Sequence, residues 1–147
     1  MKPSTIILLT TACIAFLVGC KKSYQQQTTA SPLSEWKPYL DQPINQIEAS
    51  HEAAEVQQEM NYTATNLAFI KDAKLYILFH QYLESLPMTE RESQIEEQRQ
   101  WLKMRSQEQD EARSVYGTGS AAPQAGAMKL VEITDKRIAE IGKRSKQ

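Results

Sequence analysis

The chain has 147 residues, 41% hydrophobic and 24% charged, a balance that fits one ordinary globular domain and excludes a polytopic membrane protein or a wholly disordered chain. Seventeen Lys and Arg against eighteen Asp and Glu leave a net charge of −1, so the overall basic field that attracts nucleic-acid phosphates is missing. Five Gly and six Pro are too few for a many-turned β fold, and with cysteine only at Cys13 and Cys20 the rest of the chain has no thiol for a disulfide, a metal or a nucleophile.

Met1 and Lys2 give a positive start, and Ile6 to Gly19 then runs fourteen residues without a charge. As a helix such a run covers about 21 Å, short of the roughly 30 Å hydrocarbon core, which is the dimension of a signal-peptide core and not of a membrane span. The run closes on Leu17-Val18-Gly19-Cys20, which resembles the bacterial lipobox. That resemblance implies export, removal of residues 1–19, and acylation of Cys20 as the first residue of the mature protein. Acyl chains contribute about 0.8 kcal/mol per buried methylene, so a triacylated end holds a protein on a membrane surface. Lys21 and Lys22 follow with no Asp after the cysteine, as in lipoproteins sorted to the outer membrane; a Gram-negative source would place the domain facing the periplasm.

Residues 20–43 are dominated by Lys, Gln, Thr, Ser and Pro and read as the acylated cysteine and a flexible tether, long enough to reach about 25–30 Å from the lipid. Trp36, Tyr39 and Leu40 interrupt that polarity, and the end of the tether either docks on the domain, the favoured reading, or lies at the headgroup level. The domain itself is expected over 44–147. Ile44 to Leu86 contains no Gly or Pro and predicts one long helix, or two with a kink near Asn61 to Asn66. Its first half has a narrow stripe with Ile44 and Ile47. From Leu67 to Leu86 it is apolar nearly all round, the mark of a central helix. Leu86-Pro87 ends it, and Thr89 with Glu92 predicts a capping box at the start of a helix to about Val115. Tyr116 to Ser120 stops that helix, Ala121 to Gly126 reads as a loop, and a last helix is expected from Ala127 to Gly142. The fold class is therefore all-α: a small antiparallel bundle of three to four helices on a lipid-anchored tether.

The order of motifs carries a resemblance. Gln58-Glu59-Met60-Asn61, Asp72-Ala73-Lys74-Leu75, the run Gln98 to Arg105, the run Tyr116 to Pro123, and then Leu130, Thr134 and Arg137 resemble the LprI-type lysozyme inhibitor domain over about Ile47 to Ile141. Its strongest local pattern is matched by Gln98, Trp101 and Arg105, followed by Gly117, Gly119 and Ser120. The first three read as structural, with Trp101 buried and Arg105 stacked on it or paired to a carboxylate. The resemblance implies an exported, mostly helical protein, often lipid-anchored, whose family activity is inhibition of lysozyme. It also implies cysteines where this chain has Thr63, Gln109 and Lys129, so the domain must cohere without the roughly 2–4 kcal/mol that each bridge provides.

The remaining constellations favour no chemistry. His51 with Glu55 and His80 with Glu84 are i,i+4 pairs without a thiolate between them, and neighbouring carboxylates such as Glu96 and Glu97 point about 100° apart on a helix. No catalytic residue, metal ligand or cofactor is expected, and the protein is read as a non-enzyme. Charge bears on a partner: Asp41 to Glu111 holds fourteen acids and six bases, Ala112 to Gln147 three acids and seven bases. Either opposite charges pair within the bundle, or an acidic face steers a basic partner. Glu96, Glu97, Asp110 and Glu111, with Gly117, Gly119 and Ser120, are the candidate partner-binding residues. The expected partners are the membrane, through Cys20, and lysozyme or another envelope protein, with nucleic acid excluded. The function that follows is an envelope binding protein inhibiting lysozyme by occlusion; the alternative is a structural or assembly lipoprotein with no lysozyme target.

Overall fold

The computed structural model describes residues 39–146, and the leader, Cys20 and Trp36 lie outside them. Four helices make up the fold: α1 (Asp41–Glu52), α2 (Gln57–Ser85), α3 (Met88–Ser114) and α4 (Ala122–Arg144). No strand occurs among the described residues, and the all-α antiparallel bundle stands with four helices. No described helix is long and apolar enough to cross a membrane.

α4 is the keystone, packed along both α2 and α3, while α1 lies antiparallel on α2. Two apolar clusters hold these layers. Ile44, Ala64, Leu67, Ala68, Ala127 and Val131 join α1, α2 and α4. Leu75, Phe79, Tyr82 and Ile141, with half-buried Trp101 and Ile138, join α2, α3 and α4. Between them lie buried polar side chains, Lys71, Thr134 and Arg137, which therefore need partners. Lys71 finds Glu48 of α1 at 2.8 Å and Asp135 of α4 at 2.7 Å. Burial works against its charge, but hydrogen bonds to Asp135 and Glu48 outweigh it, and its pKa ends above the ordinary lysine value.

Element boundaries differ from expectation at four places. α1 begins at Asp41, within the stretch read as tether, because Pro43 falls in the first turn, where no N–H is needed. Leu40 is part of the first cluster's surround, while Tyr39 is 73% exposed. The break before α2 falls at Ala53 to Val56 and not at Asn61 to Asn66, which are helical. It lets α1 turn back so that Ile44 and Ile47 meet α2. Thr89 does not cap α3: Pro87 is the N-cap residue, without a side-chain cap, and Thr89 is already helical. Arg91 does the bridging instead, donating from Nε to the Leu86 carbonyl at 3.0 Å and from Nη2 to that of Glu84 at 3.2 Å, where α2 leaves carbonyls unpaired. Finally, α4 starts at Ala122 and not at Ala127, with Pro123 in its first turn, so the expected loop Ala121 to Gly126 is mostly helix. Gly126 is buried there because the Arg113 side chain crosses it: a Cβ would come 2.7 Å from Arg113 Cδ and closer still to Cγ.

α2 is central on three sides only. α4 and α1 pack along it and α3 reaches it through side chains such as Trp101 and Arg105, yet Tyr62, Phe69 and Tyr76 remain 69%, 71% and 66% exposed on the fourth.

Candidate functional site

Two arrangements gather the motif residues, one inside the bundle and one at its end. The inner one forms where the middle of α3 meets α2 and α4. Trp101 is half-buried, with the Arg105 guanidinium carbon 5.1 Å and that of Arg137 5.7 Å from its ring centroid. Arg105 pairs with Asp72 of α2. Arg137, 3% exposed, donates from Nε to Gln98 Oε1 at 3.0 Å and from Nη1 to Glu97 and Glu140 at 2.9 and 2.7 Å. Its Nη2 is buried without a hydrogen-bond partner among the described residues, and the face of Trp101 offsets part of that cost as a cation–π contact. Arg144 closes the network on Glu97 with two bonds of 2.9 Å. The hydrogen bond from Arg144, helped by Arg137 and opposed by burial, holds the Glu97 carboxyl below the usual glutamate range. Arg144 is correspondingly pushed above its own ordinary value, chiefly by Glu97. Such a carboxylate stays anionic at neutral pH, so this constellation clamps helices and does not exchange protons.

The outer arrangement is the turn between α3 and α4. Gly117 takes the left-handed conformation with φ 54, which a side chain would strain. At Gly119 an added Cβ would lie 2.9 Å from the Tyr116 carbonyl oxygen, which already accepts the Gly119 N–H at 2.8 Å. The turn is pinned from across the bundle by Asn61, whose Nδ2 donates to the Ser120 carbonyl at 2.9 Å. Asn61 Oδ1 accepts from Gln124 N–H at 3.2 Å and from Gln57 Nε2 at 3.1 Å, and Gln57 also reaches Gln124 Oε1 at 2.9 Å. Residues 117–120 are nonetheless all exposed, as are Val115 and Tyr116 beside them. A hydrogen-bonded turn is thus presented to water at one end of the bundle.

The acids divide between these places. Asp110 and Glu111 are exposed on the last turns of α3, beside the turn. Glu96 and Glu97 lie about 20 Å further along the helix. Glu97 faces the two arginines of α4, while Glu96 is on the outer surface with Arg99 at 3.3 Å. The charge polarity along the chain is therefore met partly inside the fold, Glu108 to Lys129 at 3.1 Å being another α3–α4 pair. His51 and His80 are apart: His51 Nδ1 shares a 2.8 Å hydrogen bond with Thr63 Oγ1, and His80 lies against Tyr76 with ring centroids 4.6 Å apart. Cys20, the expected lipid-bearing residue, lies outside the described residues. Asn61, Asp72 and Arg137 stood in the sequence only as motif positions, and their roles depend on partners 33 to 63 residues away along the chain.

At the positions where the resemblance implies cysteines, other bonds do the bridging. Thr63 holds His51 across α1 and α2, and Lys129 holds Glu108, the neighbour of Gln109, across α3 and α4. Neither a curated protein nor a solved structure matches the chain. The family model described as lysozyme inhibitor LprI matches residues 48–141, more than half of the chain and all of α2, α3 and the clamped turn. The chain belongs to the LprI lysozyme inhibitor family.

Proposed function

We propose that the protein is an exported, lipid-anchored binding protein of the cell envelope that inhibits a lysozyme by occlusion, with the turn Gly117 to Ser120 as the element that enters the enzyme's cleft. Family membership names the class of target, and the observation that supports the site is the turn itself: exposed at every residue yet held by a hydrogen bond from Asn61 of the neighbouring α2. A preorganised loop loses little entropy on binding, which is why protruding rigid turns suit cleft-blocking. Asp110 and Glu111 beside it would attract a basic enzyme and speed its approach. Glu97 is paired with Arg137 and Arg144, away from the turn. Acylated Cys20 would keep the inhibitor at the membrane, on the periplasmic side of an outer membrane in a Gram-negative cell. The chain itself performs no reaction on this reading.

A turbidity assay of cell-wall lysis by several lysozyme types tests it. The wild-type domain is expected to slow at least one basic lysozyme, and Asp110→Lys with Glu111→Lys to weaken that effect several-fold at low salt with helicity unchanged. Exposed charges contribute only about 0.2–1 kcal/mol each, so both must be reversed together. If no lysozyme type is inhibited at micromolar protein, the assembly role in an envelope complex is the better reading.

A further inference from the structure

The bare side of α2 has an internal order. Tyr62, Asn66, Phe69, Ala73, Tyr76 and His80 follow one another in alternating steps of four and three residues, and Leu83 continues the series. That spacing is the seam of a left-handed helix pair, in which each side chain enters a hole on a facing helix. No helix of this chain covers Tyr62, Phe69, Ala73 and Tyr76, whereas Leu83 packs on the second core cluster beside α3: α1 covers α2 from the side of Thr63 and Lys74, α4 from the side of Ala64 and Leu75, and α3 from the side of Asp72. A groove of about 490 Å³ runs along the bare side, and a second of about 440 Å³ continues from Tyr76 and His80 toward Leu102 of α3.

We infer that this seam is the contact between two copies of the chain, with α2 packed antiparallel on its counterpart about a two-fold axis near Ala73. The pattern is self-complementary about that point. Ala73, the smallest seam residue, would meet its own copy where the helices come closest, and Phe69 would face Tyr76 of the other chain in both directions. Asn66 would then face His80, so the polar seam residues meet each other. From Tyr62 to Tyr76 the seam positions carry no carboxylate, ammonium or guanidinium, which suits a surface that must meet itself; His80 follows them, and Asp72 and Glu84 line the adjoining groove. Asp72, the nearest charge at its edge, is already neutralised by Arg105 of the same chain.

The area is of the right order. A ring buries roughly 150–250 Å² when covered, so the three aromatics, exposed by 66–71%, provide on the order of 400 Å² per copy. That is about half of what a standard interface takes from each partner, and the remaining seam residues and the flanking groove extend along about 32 Å of helix to supply the rest. Pairing would also cover the fourth side of α2, giving a helix with apolar residues all round the covered environment that such a helix requires.

The test is the mass in solution of the chain from Tyr39 to Gln147, which contains both core clusters of the described residues, by sedimentation equilibrium at micromolar concentration. The expected mass is that of two chains, falling to one in the variant Phe69→Lys with Tyr76→Lys while helicity and melting are kept. In the full chain, Ala73→Cys should form a covalent dimer on mild oxidation at a yield that Lys103→Cys, on the exposed side of α3, does not reach. A monomer throughout this concentration range overturns the inference. So does a dimer that survives the double lysine variant, or a full chain in which Ala73→Cys stays uncrosslinked because the N-terminal segment occupies the groove.

Discussion

Glu96 and Glu97 are neighbours in sequence with different surroundings. Glu96 projects into water beside Arg99, whereas Glu97 accepts hydrogen bonds from a buried arginine and a half-buried one. Replacing Glu96 by Gln is expected to change stability by less than about 0.5 kcal/mol, as for exposed pairs. Glu97→Gln should cost about 1–2 kcal/mol in urea unfolding, because Arg137 stays buried with one anionic partner fewer. The sign with pH follows from the lowered carboxyl. Glu97 titrates lower when folded than when unfolded, so its contribution is complete above the unfolded glutamate value of about 4.3 and is lost as pH falls through its folded value. Melting temperature should therefore drop less steeply with acid in Glu97→Gln than in the wild type. Which of the two glutamates turns inward was not legible in the chain. Helical geometry separates them by about 100°, but only the position of α4 decides which one meets Arg137 and Arg144.

At the scale of helices, proline and glycine are legible as punctuation only when their neighbours are known. Leu86-Pro87 marks the α2–α3 turn as expected, because proline disfavours helix in the residue before it. Pro43 and Pro123 break nothing, since each sits in a first turn. The α1–α2 turn contains neither Pro nor Gly, and Val56 is simply extended at φ −109, ψ 145, a comfortable state for a β-branched residue. Tertiary burial of Ile44 and Ile47 requires that turn, and no local signal announces it. Gly126 resembles a loop residue in sequence but serves close approach. Gly126→Ala should cost about 1–3 kcal/mol by overpacking against Arg113. Arg113→Ala in the same chain should recover most of that loss. A double-mutant cycle by thermal melting measures the coupling, and additive effects would show that the two side chains do not meet.

For the molecule as a whole, the fold class was legible from composition and periodicity, and so was the stacking of Arg105 on Trp101. The outer site was legible as an exposed turn but not as a clamped one. Asn61 lies 59 residues from Ser120, and a lone asparagine in a helix gives no sign that it holds a distant carbonyl. The bundle is thus built so that a network of arginines ties its middle together while a turn at one end is hydrogen-bonded to α2 and open to water. Amide hydrogen exchange with and without an inhibited lysozyme tests most directly whether that turn is the inhibitory element. Slowed exchange confined to residues 115–121 and the adjoining last turn of α3 is the expected result. Protection along Tyr62 to Leu83 of α2 with an unchanged turn would contradict it.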